Sequence, residues 1–168
     1  MNGVVIWLTG LPSSGKSTLA GRLQRRLGEA GHACVQLDGD QMRAALVPRP
    51  GYDARSRDDF YATLGRLAGL FAAQGLAVIV SATAHRRAHR DEARRVAPRF
   101  VEVFVDVPAD ACALRDPKGL WTAARSGALR GLPGADVFYE PPKHPEVRAR
   151  GGLDDRAVDE VLRHVTAG

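Results

Sequence analysis

Continuous apolar runs alternate with segments of helical periodicity along most of the chain. VVIWLTG (4–10) reads as a buried strand, and KSTLAGRLQRRLGEAG (16–31) as an amphipathic helix ending at Gly31. ACVQLD (33–38) predicts a second strand and GDQMRAAL (39–46) a short helix. PRPGYDARS (48–56) reads as loop from its Pro and Gly content. RDDFYATLGRLAGLFAAQG (57–75) carries Phe60, Leu64, Leu67 and Phe71 at helical spacing. LAVIVSA (76–82) and FVEVFVD (100–106) are further strands, the former continuous enough to be central, with a charged helix, RRAHRDEARRVA (86–97), between them. This alternation predicts an α/β fold: an open, mainly parallel sheet with helices on both faces.

After Asp106 the pattern changes. PADACALRD (108–116) predicts a helix, and the run that follows, to Glu146, is rich in Gly and Pro. That stretch is too long for an inert connection, so it predicts a lid over 116–146. DDRAVDEVLRHV (154–165) closes the chain as a helix with Asp154 as its N-cap. No repeat or low-complexity tract interrupts residues 1–168, and one domain with a lid is expected.

Composition narrows the class. At 168 residues, 45% hydrophobic and 26% charged, the chain suits a soluble domain with a real core. No apolar run is long enough to cross a bilayer, so no membrane partner is expected. MNGVVIWLTG lacks a basic leader and reads as the first strand, not a signal peptide. Cys34 and Cys112 show no metal-ligand spacing and are expected as free thiols in a reducing cytoplasm. The formal charge of +5 raises the question of nucleic acid. The basic residues are scattered and no reading motif accompanies them, so a solvated arginine-rich surface is expected instead. Only Lys16, Lys118 and Lys143 are lysines, and the first two fall in chemical motifs.

Gly10, Leu11, Pro12, Ser13, Ser14, Gly15, Lys16 and Ser17 match G-x-x-x-x-G-K-[ST] between a predicted strand and a predicted helix. Glycines let backbone N–H groups turn inward as a phosphate nest, and the helix adds its unpaired N–H groups and dipole. Lys16 would reach the terminal phosphates, Ser17 would ligate Mg²⁺, and Thr18 would add a hydroxyl. LDGD (37–40) ends the second strand, at the edge that faces the ligand crevice of an open parallel sheet. Asp38 and Asp40 are candidates for base and water-mediated Mg²⁺ ligand, with capping of the short helix as the alternative for Asp40. Arg43, one turn on, could meet an anionic substrate or be solvated. Asp106 reads as a helix cap near Pro108. Arg115 and Lys118 could clamp anions or lie on the surface, and Trp121 reads better as a lid anchor than as a cover for a base. His85 and His89 stand four apart without an evident third ligand, so metal binding there is not expected.

GLPSSGKST, LDGD, VEVFVDVP, RDPKGLW and YEPP, in this order over nearly the whole chain, resemble the adenylylsulfate (APS) kinase family. The resemblance implies a P-loop NTPase fold. It also implies transfer of the γ-phosphate of MgATP to the ribose 3′-hydroxyl of APS, giving PAPS. It places Gly10–Thr18 and Arg115 on ATP, and Lys16, Asp38 and Asp40 at the chemistry. Ser17 and Asp38 fall at Mg²⁺, and Asp40, Arg43, Arg57, Phe60, Lys118 and Leu132 on the acceptor side. Members tend to be dimeric, so a homodimer is left open.

The departures gather in the acceptor half. Where the family reads D-R-x-E-N-I-R-R, this chain has SRDDFYAT (56–63), putting Phe60 at the asparagine and Ala62 and Thr63 at the arginine pair. Where the family reads F-I-S-P-x-R, it has ATAHRR (82–87), with Ala82 for the phenylalanine and Ala84 for the serine. Leu132 replaces a lid phenylalanine. An acceptor pocket stripped of aromatic stacking is therefore expected, with Phe60 or Tyr61 as residues that could rebuild it. A kinase acting on another small anionic alcohol, or a nucleotide-binding regulatory module without transfer, are the other readings.

Overall fold

A computed structural model describes residues 2–168. Five strands, β1 (Val4–Thr9), β2 (Cys34–Asp38), β3 (Ala77–Ser81), β4 (Phe100–Val105) and β5 (Val147–Ala149), form one sheet in the order β2-β3-β1-β4-β5. Every pairing is parallel. The helices are α1 (Lys16–Glu29), α2 (Gly39–Ala45), α3 (Ala54–Ala73), α4 (Arg87–Val96), α5 (Ala109–Arg115), α6 (Leu120–Arg125) and α7 (Asp155–Thr166).

Alternation along β1 explains the layers, since successive side chains of a strand point to opposite faces. Val4, Ile6 and Leu8 join Leu19, Leu23 and Leu27 of α1 and Val158, Val161 and Val165 of α7 in one core. Val5 and Trp7 join Phe60, Leu64, Ala68 and Ala72 of α3 in the other. Both faces being covered accounts for the continuous apolar runs. Against the far side of α3, α4 approaches closely because Gly69 has no side chain; a Cβ there would lie 2.8 Å from the Val96 carbonyl.

Four features differ from the sequence reading. Helix α3 begins at Ala54, not Arg57, because the Asp53 carboxylate accepts from the Ser56 backbone N–H (3.0 Å) and hydroxyl (2.6 Å). Three residues of β5 pair with β4 at the sheet edge, a strand too short to show in the pattern. Within 116–146, α6 forms because Asp116 gathers the N–H groups of Trp121 and Thr122, each at 2.9 Å, and the Thr122 hydroxyl. Asp106 does not cap α5; its carboxylate pairs with Arg148 of β5 at 2.6 Å. Asp154 does cap α7, accepting from the Ala157 N–H.

Candidate active site

The carboxyl ends of β1, β2 and β3 open onto a cleft of about 1310 Å³. β1 is followed by the glycine-rich loop, whose shape is fixed by close approach. A Cβ on Gly10 would lie 2.6 Å from the Val105 carbonyl, and Gly15 (φ 100°) stands against Gly152, whose backbone N would be 2.7 Å from such an atom. Gly15 caps α1, so the helix N-terminus faces the loop. Lys16 Nζ donates to the carbonyls of Gly10 (2.9 Å) and Leu11 (2.8 Å). Burial pushes its ammonium down to about 8, an effect that neighbouring Lys118 reinforces. The Ser14 hydroxyl, buried in the same loop, has no hydrogen-bond partner among the described residues. A lysine and a helix N-terminus around one concavity, with an orphan hydroxyl buried in the loop behind them, fit a polyphosphate.

Asp38 at the end of β2 does two jobs. One oxygen caps α2, accepting from the N–H groups of Asp40 (3.0 Å) and Gln41 (3.1 Å); the other accepts from the Ser17 hydroxyl at 3.2 Å. The capping alternative therefore belongs to Asp38 and not to Asp40. A hydroxyl beside a carboxylate is a hard-oxygen pair that fits Mg²⁺. The Asp40 carboxylate, in the first turn of α2, pairs with Lys118 from the 116–146 segment. Trp121 anchors that segment: its indole N–H donates to the Pro12 carbonyl at 3.0 Å and its ring is buried.

The far half of the cleft is lined by Arg43, Tyr52, Arg57, Phe60, Tyr61, Ala82 and Leu132. It is not stripped of aromatics: of the two sequence alternatives, the one in which Phe60 and Tyr61 rebuild the pocket is the one that holds. Phe60 and Tyr61 arrive from α3, and Tyr52 reaches in from the loop before it. Ala84 lies elsewhere, buried with its carbonyl accepting from Arg90 at 2.5 Å. Ala62 and Thr63 do not line the cleft. Arg57 donates to the Gly131 carbonyl at 2.5 Å, which ties α3 to the 116–146 segment. His89 pairs with Asp58 at 2.6 Å in the α3–α4 seam, and burial lowers His85 to about 4. Thr9 and Tyr139 bond through their hydroxyls at 2.8 Å, and burial pushes the Tyr139 phenol up to about 12.

The sequence model of the adenylylsulphate kinase family matches residues 2–150. The chain belongs to this family. It is 43% identical over 152 residues to the adenylyl-sulfate kinase of Rippkaea orientalis, covering 90% of this chain and 84% of the relative. It is 41% identical over 166 residues to that of Chloroflexus aurantiacus, covering 99% and 88%. The structure of the Mycobacterium tuberculosis APS kinase CysC in complex with AMPPNP and APS superposes with a TM-score of 0.90 at 35% identity, over 99% of both chains. No helix among the described residues is long and apolar enough to cross a membrane.

Two parts of this APS kinase site escape a reading by motif. Residues 150–154, after β5, line the cleft directly beside the glycine-rich loop, with Arg115 also among the lining residues. Gly152 fits so tightly that a Cβ would lie 2.8 Å from Thr18 Cβ and 2.9 Å from the Gly15 carbonyl. The adjacent glycines were the only signal for it. Tyr52 is the other part, and an aromatic inside a Pro/Gly-rich loop was its only signal.

Proposed function

We propose that the chain transfers the γ-phosphate of ATP to the 3′-hydroxyl of adenylyl sulfate. One observation carries this reading. The cleft joins a phosphate loop to a second pocket containing two buried guanidiniums, Arg43 and Arg57, neither with a carboxylate partner among the described residues. Such a pocket suits an anionic acceptor placed beside the donor.

The Gly10–Thr18 loop would hold the ATP phosphates, with Lys16 leaving its carbonyl partners for the terminal phosphate. Arg115 and residues 150–154 would flank the rest of the nucleotide. Ser17 and Asp38 would hold Mg²⁺, which offsets the charge that gathers on phosphate oxygens during transfer. Capping leaves Asp38 one free oxygen on the Ser17 side, so Asp40 is assigned to the acceptor hydroxyl. Its carboxylate would take the hydroxyl proton as the new O–P bond forms and ADP departs with the bridging oxygen. Lys118 would guide Asp40 and the acceptor anion, and the 116–146 segment would act as a lid held by Trp121. A reducing cytoplasm suits the free thiols of Cys34 and Cys112.

The test is ADP release from MgATP with and without APS, beside a Lys16→Ala control. APS-dependent turnover that vanishes in the control is expected. ATP binding without APS-dependent turnover would overturn the acceptor and direct the search to other anionic alcohols, a reading that Phe60 in place of the family's asparagine keeps open.

A further inference from the structure

Building on the acceptor pocket proposed above, we infer that Phe60 is a positioning residue: it clamps the Arg43 guanidinium against Tyr52 and so sets the grip on the acceptor anion without touching the acceptor. The guanidinium carbon of Arg43 lies 4.0 Å from the centre of the Phe60 ring and 4.4 Å from that of Tyr52. Arg43 is only 4% exposed and Phe60 2%. A cation this deep needs compensation, and among the described residues no carboxylate lies within ion-pair distance. Its polar protein contacts are one N–H to the Gly51 carbonyl at 2.9 Å and the phenol of Tyr61, also buried beside it. The two ring faces supply the rest, because the negative face of an aromatic ring attracts a guanidinium, most strongly where water is excluded.

The sandwich has a chemical consequence. A guanidinium stacked between two rings and giving one N–H to Gly51 still has N–H groups in its plane to offer an oxyanion. Arg57 stands nearby, 5.9 Å from the Tyr52 ring, so two charges converge on one region. The Phe60 face that carries Arg43 cannot also stack on a base. Tyr52, 55% exposed, keeps ring surface for that. Phe60 thus acts through Arg43, a different role from the direct acceptor contact expected from its place in the sequence.

The test uses the full chain with Phe60→Leu, which keeps apolar bulk but removes the π face, and Phe60→Tyr, which keeps it. Phe60→Leu is expected to raise the KM for APS about 3- to 30-fold, with kcat moving much less and the KM for ATP unaffected. Phe60→Tyr should stay within about twofold of wild type. In an Arg43→Lys background, where no flat guanidinium remains, Phe60→Leu should add almost nothing. Thermal unfolding confirms that each variant is folded, and Phe60→Met takes over if Phe60→Leu is not.

An unchanged KM in a folded Phe60→Leu protein, or an equal loss in both backgrounds, overturns the inference. If wild type shows no APS-dependent turnover, the proposed acceptor fails separately. Phe60 is then tested by the thermal stabilisation that inorganic sulfate gives at matched ionic strength. The part removed by Arg43→Lys must also be removed by Phe60→Leu, and a sulfate response indifferent to either substitution refutes the clamp.

Discussion

Replacing Arg90 by Met should destabilise this protein strongly, although Arg90 belongs to a charged helix. Arg90 sits on α4, a helix with six charged residues in ten, yet it is only 1% exposed. Its guanidinium makes three bonds: to the Glu102 carboxylate of β4 at 2.9 Å, the Ala84 carbonyl at 2.5 Å and the Glu140 carbonyl at 2.7 Å. One side chain thereby fastens α4 to the sheet, to the turn after β3 and to the end of the 116–146 segment. Met fills similar length but leaves Glu102 buried without its closest partner and two carbonyls without donors. Breaking a buried pair from one side costs about 3–5 kcal/mol. For a chain of this size that corresponds to a fall in Tm of roughly 6–20 °C.

The pH dependence gives the sharper check. Burial already raises the Glu102 carboxyl above its ordinary 4.5, and Arg90 is the main opposing influence. Without Arg90, only Arg94 at 3.9 Å remains, so the carboxyl rises further. A raised carboxyl binds a proton in the folded state at pH values where the unfolded chain does not. Folding is therefore relatively favoured as pH falls, and the deficit of Arg90→Met should be largest near pH 8 and shrink toward pH 5. Urea unfolding followed by circular dichroism at both pH values measures this. Adding Glu102→Leu should recover part of the loss and abolish its pH dependence. A deficit below about 1 kcal/mol, or one equal at both pH values, would refute the account of Arg90 as the partner of a desolvated carboxylate.

Three further outcomes are expected. Asp38→Asn keeps a good helix cap, so Tm should barely move while turnover drops at least about 100-fold; Asp38→Ala should add about 1 kcal/mol of destabilisation, read by chemical unfolding. Lys16 is held at about 8 in the fold against 10.5 ordinarily, and phosphates favour its ammonium form. Affinity for a fluorescent ATP analogue should be flat below pH 8 and weaken above it, by at most tenfold per pH unit, as binding begins to draw a proton from solvent. Gly152→Ala would crowd Thr18 and the Gly15 carbonyl, so it should cost about 1–3 kcal/mol of stability and raise the KM for ATP. A Gly152→Ala protein indistinguishable from wild type in both would show that the contact is loose.

The phosphate-binding half of the site was legible because its chemistry depends on local spacing. GLPSSGKS places its own backbone, lysine and helix start, and LDGD ends its own strand. The acceptor half was legible only in part. Ala82 and Leu132 suggested an emptied pocket; Phe60 and Tyr61, named as able to rebuild it, do line it, while Tyr52 from a loop went unseen because its place depends on the fold. Arg90 was hidden because periodicity cannot separate a buried arginine from its solvated neighbours when its partners lie on β4 and beyond residue 139. Strand β5 was missed for a similar reason, since three residues gain their identity only by pairing with β4.

The tight seam between Gly15 and Gly152 also bears on how the protein is made. Its two sides are about 140 residues apart, so at ordinary synthesis rates the phosphate loop waits roughly 7–28 s before its opposite wall leaves the ribosome. Through that interval β1 and α1 can pair and pack, but half of the nucleotide cleft has yet to be translated. The nucleotide cleft is therefore completed only late in synthesis, once residues 150–154 have emerged to close against the loop.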